Sequence, residues 1–299
     1  MTLNYIKVKD SKDTITKDTV FLGDSLEVIT QLDDESFQLI YIDPPFNTGK
    51  TQKRTSFSAE RSDSGRIGFK GLPYKVTELS SLSYLDKFDN YLDFIAPRLV
   101  EAKRLLRLDG TFYFHIDYRE AHYCKVLLDE IFGRDCFLNE IIWAYDYGGR
   151  SKDRWPAKHD TILVYAKDIS KHYFDRDAVD RIPYMAPGLV SAEKVARGKM
   201  PTDVWWHTIV PTSSFEKTGY PNQKPEGILK RIIQASSAPG QWVLDFFAGS
   251  GTTGSVARSL GRHFVLADIN PESIEVIKNR LGNREIDYLT SKGYRESSL

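Results

Sequence analysis

The fold of this chain is indicated most clearly by one stretch of sequence, which is Val243-Leu244-Asp245-Phe246-Phe247-Ala248-Gly249-Ser250-Gly251-Thr252-Thr253-Gly254. Its apolar start is typical of a buried strand, and the glycines that follow permit a tight turn and a close backbone approach to a ligand. A helix that begins after such a turn presents free N–H groups to that ligand. Asp268 lies 19 positions after Gly249, at the end of the next predicted strand, where its carboxylate can accept hydrogen bonds from ribose hydroxyls.

Three glycines of this stretch, Gly249, Gly251 and Gly254, also match the dinucleotide pattern G-x-G-x-x-G. A single match of that kind is a weak signal, because a purely structural glycine turn can produce it. The strand before, the helix after and the acid at the right distance favour an adenosine-type cofactor. On this stretch alone the identity of that cofactor stays open.

Strands and helices alternate along much of the chain. The predicted strands cover 37–42, 111–116, 140–145, 161–165, 242–247 and 264–269, and the predicted helices cover 85–106, 119–132, 225–236 and a segment beginning at 271. Helical connections of this length predict a mostly parallel sheet covered by helices on both faces. Pro97 should kink the first of these helices.

Two segments break the alternation. Residues 47–80 are rich in Ser, Gly, Lys and Arg, which predicts a long, mobile, basic loop. Residues 168–220 are irregular and contain four prolines, which predicts an inserted recognition element. The flanking parts, 1–167 and 221–299, are expected to form one domain together.

The composition is that of a packed globular protein. The 41 basic and 41 acidic side chains balance, and 41% of the residues are hydrophobic, which excludes a disordered chain and a coiled coil. Cys124 and Cys136 supply neither a disulfide framework nor a four-ligand zinc site, so we expect buried thiols, no metal and a cytoplasmic protein. No apolar run approaches the about 18 residues that span a bilayer, and the first ten residues lack the core of a signal peptide, so no membrane role is expected.

A second motif, Asp43-Pro44-Pro45-Phe46, follows the predicted strand 37–42 at its carboxyl end, which is the edge where open α/β sheets bind ligands. The two prolines restrict the backbone and hold the Pro44 carbonyl in one direction. That carbonyl and the Asp43 carboxylate can accept both hydrogens of one planar NH2 group, while Phe46 stacks on the ring that carries the amine. The alternative is an N-capping Asp followed by a Pro-Pro strand end.

The two motifs together resemble those of the amino-methylating DNA methyltransferases, which use S-adenosylmethionine. Because Asp-Pro-Pro-Phe precedes Phe-Ala-Gly-Ser-Gly-Thr-Thr, the order is similar to that of the β group, whose catalytic half comes first. The resemblance covers nearly the whole chain. It implies an α/β, Rossmann-like methyltransferase fold with a circularly permuted motif order, a mixed, mostly parallel sheet with helices on both faces, and an irregular target-recognition insert.

The resemblance also implies which base is methylated. Asp-Pro-Pro-Tyr/Phe is usual for adenine N6 and Ser-Pro-Pro-Tyr for cytosine N4, so Asp43 favours adenine. Phe46 stands where Tyr is commoner, and this change keeps the ring and removes only the hydroxyl. These motifs give the catalytic set Asp43, Pro44, Pro45 and Phe46.

The cofactor-binding residues follow from the same resemblance. Asp24 matches the acid that contacts the adenine of the cofactor, and Lys224 lies in the segment that borders its methionine end. Asp268 stands where the family commonly has Glu, a difference of one methylene. The full cofactor-binding set is Asp24, Lys224, Pro225, Asp245, Phe247, Gly249, Gly251, Thr252 and Asp268.

A DNA substrate requires base flipping, because adenine N6 is buried in the stacked duplex. By resemblance, the strand holding Trp143 and Tyr145 lines the base pocket, although their alternation with Ile141 fits a sheet core equally well. The net charge of zero hides local clusters, since 47–75 carries a net +5 and a second basic stretch begins at 150. The predicted DNA-binding set is Lys50, Lys53, Arg54, Trp143, Tyr145, Arg150, Lys152 and Arg154.

Several polar and aromatic residues stay without an assigned role. Trp205, Trp206 and His207 fall in the predicted insert and fit either target recognition or a small packed core. His115 and His122 show no partner pattern, so core or surface positions are expected for them.

We therefore expect a site-specific DNA methyltransferase that transfers a methyl group from S-adenosylmethionine to the N6 amine of a flipped adenine. Cytosine N4 methylation is the nearest alternative. An NAD-dependent oxidoreductase would leave Asp43-Pro44-Pro45-Phe46 without a task, and intact motifs in both halves argue against a non-catalytic DNA-binding regulator. Double-stranded DNA is the expected partner, and a cognate restriction endonuclease and a homodimer are further expectations.

Overall fold

The computed structural model describes residues 5–9, 14–67, 73–86, 88, 90–149, 151–282 and 285–291, and between 50 and 85 it describes the backbone only. The strands in these ranges are β1 (Ile6–Lys7), β2 (Thr14–Ile15), β3 (Asp18–Leu22), β4 (Phe37–Ile42), β5 (Lys50–Ile67), β6 (Pro73–Asp86), β7 (Leu106–Ile116), β8 (Phe137–Ala144), β9 (His159–Ala166), β10 (Val204–Trp206), β11 (Trp242–Asp245), β12 (His263–Asp268) and β13 (Ile286–Thr290). The helices are α1 (Ser25–Thr30), α2 (Tyr91–Leu105), α3 (Ala121–Phe132), α4 (Ala192–Arg197), α5 (Glu226–Ser236), α6 (Thr252–Ser259) and α7 (Pro271–Leu281), with 3-10 turns at Arg134–Cys136 and Pro187–Leu189.

The main sheet has the strand order β10-β8-β9-β7-β4-β11-β12-β3-β13. Neighbouring strands are parallel throughout, except that β9 runs antiparallel to both β7 and β8. The carboxyl ends of the other eight strands therefore meet at one side of the sheet, which we call the carboxyl edge. The expected mixed, mostly parallel sheet is confirmed.

Strand β4 shows why the sheet has two covered faces. All six of its residues are buried, and its side chains alternate between two apolar cores. Ile40 and Ile42 pack with residues of α1, α2 and α3, whereas Leu39 and Tyr41 pack with residues of α5, α6 and α7. A strand buried on both faces lacks the apolar and polar alternation of a half-exposed strand, and this explains its continuous apolar sequence.

The segment predicted as a loop at 47–80 has a different local structure. Strands β5 and β6 pair with each other in an antiparallel ribbon, from Lys50 opposite Asp86 to Ile67 opposite Pro73. The loop prediction was wrong because polar composition was taken as irregular backbone, whereas pairing satisfies the N–H and C=O groups of a polar ribbon. The ribbon also extends to Asp86, so α2 begins at Tyr91 and not near 85 as predicted.

The predicted insert at 168–220 is not separate from the sheet. Its strand β10 pairs in parallel with β8, and Trp205 is buried against the core while its neighbour Trp206 is 78% exposed. The two tryptophans therefore differ, since one packs in the sheet and the other faces solvent. Target recognition by this segment stays a prediction.

The burial of the two cysteines agrees only in part with the expectation of two buried thiols. Cys124 is buried, as expected, and Cys136 is only partly buried. Among the helices that the structure describes, none combines the length and apolar character that crossing a membrane requires.

Candidate active site

Asp43 lies directly beyond the carboxyl end of β4, at the centre of the sheet. Its Oδ2 is 2.7 Å from the Nζ of Lys224, and both side chains are largely buried. Its Oδ1 is also buried and has no hydrogen-bond partner among the described residues. The carboxylate is therefore anchored through one oxygen, and the other oxygen is left available to accept a hydrogen bond.

Lys224 joins the two halves of the predicted site. It precedes α5, and its carbonyl accepts a hydrogen bond of 3.1 Å from the hydroxyl of Thr252, the first residue of α6. Its ammonium group contacts Asp43 and lies 4.9 Å from the centre of the Phe46 ring. The predicted position of Lys224 beside the cofactor is thus also a position beside the Asp-Pro-Pro-Phe motif.

The glycine turn follows β11 at the same edge. Gly251 has φ +72° and forms the N-cap of α6, and a Cβ at this position would lie 2.8 Å from Cγ1 of the buried Ile277. Only glycine meets both the positive φ and the close contact with α7. The turn therefore brings the start of α6 close to α7 and to the end of β12.

Two buried carboxylates flank this turn. Asp268 at the end of β12 accepts hydrogen bonds from the N–H groups of Gly249 (2.8 Å) and Asn270 (2.9 Å), and Asp245 accepts them from the Thr253 hydroxyl (2.6 Å) and the Phe247 N–H (3.0 Å). Burial raises the pKa of Asp245 to about 7 and that of Asp268 to about 6, although these hydrogen bonds oppose the shift.

The raised pKa of Asp245 predicts a stability change with pH. The folded protein keeps a proton on this carboxyl that the unfolded chain releases near pH 4, so its contribution to stability is lost as pH rises from about 4 through about 7. Asparagine cannot ionise, so the difference in unfolding free energy between Asp245→Asn and the parent protein should change with pH. We expect it to shift by about 2 kcal/mol in favour of the variant as the pH rises from 5 to 8. Urea unfolding at both pH values measures this. The exposed Asp135→Asn should show no such change, and an equal difference for Asp245→Asn at both pH values would contradict the assignment.

A cavity of about 320 Å³ lies between the catalytic motif and the glycine turn. Its lining includes Asp43 and Pro45 from the catalytic set. From the cofactor-binding set it includes Asp24, Lys224, Asp245, Phe247, Gly249, Thr252 and Asp268. Four residues of the two sets do not line the cavity but are adjacent in sequence to residues that do. They are Pro44, Phe46, Pro225 and Gly251.

Asp24 has two structural partners at the rim of the cavity. One oxygen caps α1 by accepting the Leu26 N–H at 2.8 Å, and the other forms a 2.7 Å ion pair with Arg98 of α2. Arg98 is buried, so this pair fixes α1 against α2. Sequence reasoning did not identify this role of Asp24.

The predicted DNA-binding residues have mixed positions. Trp143 is buried, its indole N–H donates to the His207 carbonyl at 2.7 Å, and Tyr145 packs against it with a half-buried ring. Trp143 thus belongs to the sheet core and does not line the cavity. Lys152 and Arg154 are exposed, and Arg154 pairs with Asp153 at 2.9 Å. Arg150 and the side chains of Lys50, Lys53 and Arg54 lie outside the described residues.

Both basic segments begin at the carboxyl edge. The ribbon β5–β6 starts just after Asp43 and Phe46, and residues 145–158 connect the carboxyl end of β8 to the start of β9. The Tyr145 N–H donates to the Lys158 carbonyl at 2.9 Å and closes the base of this connection. The ribbon β5–β6 and the 145–158 connection are therefore both attached to the edge that carries Asp43.

Sequence reasoning missed a hydrogen-bonded cluster beneath Asp43. His115 of β7 is fully buried, with its Nδ1 2.8 Å from the Tyr41 hydroxyl and its Nε2 3.1 Å from Oδ2 of Asp160. Oδ1 of Asp160 accepts a 2.9 Å hydrogen bond from Tyr145. The available signal was a polar residue near the carboxyl edge in each of β4, β7 and β9, and it could be recognised only with the strand order known.

The chain is similar to known DNA methyltransferases. A family model described as DNA methylase, of the N6/N4 methyltransferase type, matches residues 37–279. DNA adenine methyltransferase YhdJ of Escherichia coli (strain K12) is 31% identical over 271 residues, covering 88% of this chain and 82% of that protein. Type II methyltransferase M.HpaI of Haemophilus parainfluenzae is 30% identical over 259 residues, covering 87% and 72%.

Solved structures show the same fold. The M1.HpyAVI–SAM complex superposes with a TM-score of 0.56 at 18% identity, covering 89% of this chain and 99% of that one. The PvuII DNA methyltransferase (cytosine-N4-specific) gives a TM-score of 0.59 at 16% identity, covering 91% and 95%. The expected Rossmann-like methyltransferase fold is confirmed.

Proposed function

The chain belongs to the DNA methylase family of N6/N4 methyltransferases, and we propose that it transfers a methyl group from S-adenosylmethionine to the N6 amine of adenine in double-stranded DNA. The observation that carries this proposal is the Asp43 carboxylate, which is buried beside a cavity with one oxygen anchored by Lys224 and the other unpartnered among the described residues. The name of the E. coli relative, an adenine methyltransferase, supports adenine as the base.

The cavity fits the cofactor by its chemistry. Its volume of about 320 Å³ falls within the range of small-molecule sites, about 300–1,000 Å³. The lining combines the Asp24 and Asp268 carboxylates, which suit amine and hydroxyl donors, with the aromatic ring of Phe247. When bound there, S-adenosylmethionine supplies an electrophilic methyl carbon.

Residues of this chain would bind and orient the target amine. The unpartnered Asp43 Oδ1 accepts one N–H of the adenine amine, and the Pro44 carbonyl accepts the other. Two acceptors directed at one planar NH2 group favour the tetrahedral nitrogen of the transition state over the planar ground state. Phe46 lies beside this position with the Lys224 ammonium 4.9 Å from its ring centre, and it offers a face for the base to stack on.

DNA would reach this site at the carboxyl edge. The ribbon β5–β6 and the 145–158 connection begin at that edge and contain basic residues in their sequences, which would bind phosphates and offset the cost of flipping a base. Residues 168–220 would read the target sequence, with 1–167 and 221–299 forming the catalytic domain. The Type II designation of M.HpaI supports a cognate restriction endonuclease; a homodimer and a cytoplasmic location stay predictions.

The modified base is the direct test of this proposal. We expect unmethylated genomic DNA incubated with the protein and S-adenosylmethionine to yield N6-methyladenine on nucleoside mass spectrometry, and the same reaction without the cofactor to yield none. N4-methylcytosine as the sole product would overturn the adenine assignment and leave the family chemistry intact. Absence of both products on genomic DNA from several methylation-deficient sources would overturn the catalytic assignment.

A further inference from the structure

His115 lies next to the Asp-Pro-Pro-Phe motif and has no role in the proposed reaction as described above. Its ring is fully buried directly beneath the catalytic motif, with Nδ1 4.0 Å from the unpartnered Oδ1 of Asp43. The ring also lies 5.8 Å from that of Phe46, centre to centre. A fully buried imidazole therefore lies next to the carboxylate that would bind the target amine.

The partners of His115 determine where its protons lie. Burial raises the pKa of Asp160, but the hydrogen bond from His115, the Lys224 charge and the Tyr145 hydroxyl outweigh it, so the pKa of Asp160 lies below its usual range. Because Asp160 is ionised, its Oδ2 accepts a hydrogen bond and His115 Nε2 carries the proton. In the neutral ring Nδ1 is then a proton acceptor, and the Tyr41 hydroxyl donates to it at 2.8 Å.

Polar and charged side chains face His115 from several strands of the sheet. Tyr41 of β4 and Asp43 just beyond it face the ring, and Asp160 faces it from β9. Tyr145, just after β8, donates a hydrogen bond to Asp160. The remaining neighbours are aromatic, with Trp143 edge-on at 5.5 Å between ring centres. The nearby cation, Lys224, is paired with Asp43. An imidazolium formed here would lie between two carboxylates.

This inference rests on the proposed function. We propose that the target amine loses a proton to Asp43 and that His115, held by Asp160, takes this proton up from Asp43. Methylation of the neutral amine leaves its nitrogen positively charged, and this charge is removed when one N–H bond breaks and its electron pair stays on nitrogen. The proton passes to Oδ1 of Asp43 and then to Nδ1 of His115, as the Tyr41 hydroxyl rotates away. After product release the proton returns to Asp43, whose side chain is 19% exposed, and passes from there to solvent.

The test is the pH dependence of single-turnover methylation in His115→Gln and Asp160→Asn. Glutamine keeps hydrogen-bonding groups but cannot take up the proton, so we expect a rate at least tenfold lower at pH 7 that continues to rise with pH as solvent hydroxide takes over. Asparagine removes the negative charge that stabilises the imidazolium, so the rising limb of the profile should move to lower pH and its plateau should fall. The exposed His122→Gln should match the parent protein.

Three further measurements distinguish this proposal from a purely structural role of His115 and from failure of the proposed function. Cofactor binding and thermal unfolding show whether each variant folds, and nitrogen NMR of histidine-labelled protein without cofactor should show Nε2 of His115 protonated. A uniform rate loss at every pH, or an Nδ1-protonated ring, would overturn the proton role while an active parent protein left the function standing. A parent protein without activity on any DNA would overturn the proposed function instead.

Discussion

Asp43→Ala is expected to lower the rate of methyl transfer by at least about a hundredfold, or about 3 kcal/mol, while cofactor binding is retained. The reason is that Asp43 Oδ1, which has no hydrogen-bond partner among the described residues, is the proposed acceptor for the target amine, whereas the glycine turn, Asp268 and Phe247 line the cavity without depending on it. Single-turnover methylation of DNA measures the rate, and isothermal titration calorimetry with S-adenosylmethionine measures the affinity.

The Asp43 variant also leaves Lys224 without its carboxylate partner, so folding has to be measured separately. An unpaired ammonium in a largely buried position is destabilising, and thermal unfolding will report this cost. Asp135→Ala removes a carboxylate from an exposed 3-10 turn and should leave both rate and affinity unchanged. Full activity in Asp43→Ala would show that Asp43 does not bind the amine.

The central strands of the fold could be predicted because their sequences are unambiguous. The continuous apolar run at 37–42 has one explanation, a strand buried on both faces, and the structure places β4 there. The ribbon β5–β6 could not be predicted in the same way. Its stability comes from backbone pairing between segments whose side-chain pattern resembles a polar loop, and register is not encoded in composition.

The site shows the same division between local and long-range information. Asp43 and the glycine turn are each local motifs, so their position at the carboxyl edge follows once the parallel sheet is predicted. The contacts of His115 with Tyr41 and Asp160 join positions 74 and 45 residues apart. They depend on β9 running antiparallel beside β7, which brings the start of one strand to the end of the other. No local pattern predicts that strand direction.

The Lys224–Asp43 ion pair illustrates what resemblance to a family can and cannot supply. The resemblance predicted that Lys224 borders the cofactor, and in the structure Lys224 is part of the cavity lining. The 2.7 Å contact with Asp43 across 181 positions in sequence was not predicted, because it requires the carboxyl ends of β4 and the segment before α5 to meet. The pair therefore couples the catalytic and cofactor halves directly.

The glycine turn allows a test in which backbone strain is matched between two sites. Gly251 and Gly261 have nearly equal φ angles, +72° and +71°, so an alanine at either position is placed at a positive φ, which costs about 1–2 kcal/mol. They differ in surroundings, because a Cβ at Gly251 would meet Ile277 at 2.8 Å, whereas a Cβ at Gly261 has no atom within 4 Å among the described residues. Only Gly251 precedes the helix that borders the cavity.

Gly251→Ala is therefore expected to weaken S-adenosylmethionine binding by more than about tenfold, or about 1.4 kcal/mol, and Gly261→Ala to leave it unchanged. The added methyl group cannot enter the packed space beside Ile277, so the start of α6 must move away from α7 and carry the neighbouring lining residues Ser250 and Thr252 with it. Thermal unfolding should show that both variants lose stability, more so for Gly251→Ala because of this overlap. Calorimetric titration then separates the sites. Equal affinity in the two variants would mean that the turn only shapes the backbone, whereas a loss confined to Gly251→Ala would place the cofactor against it.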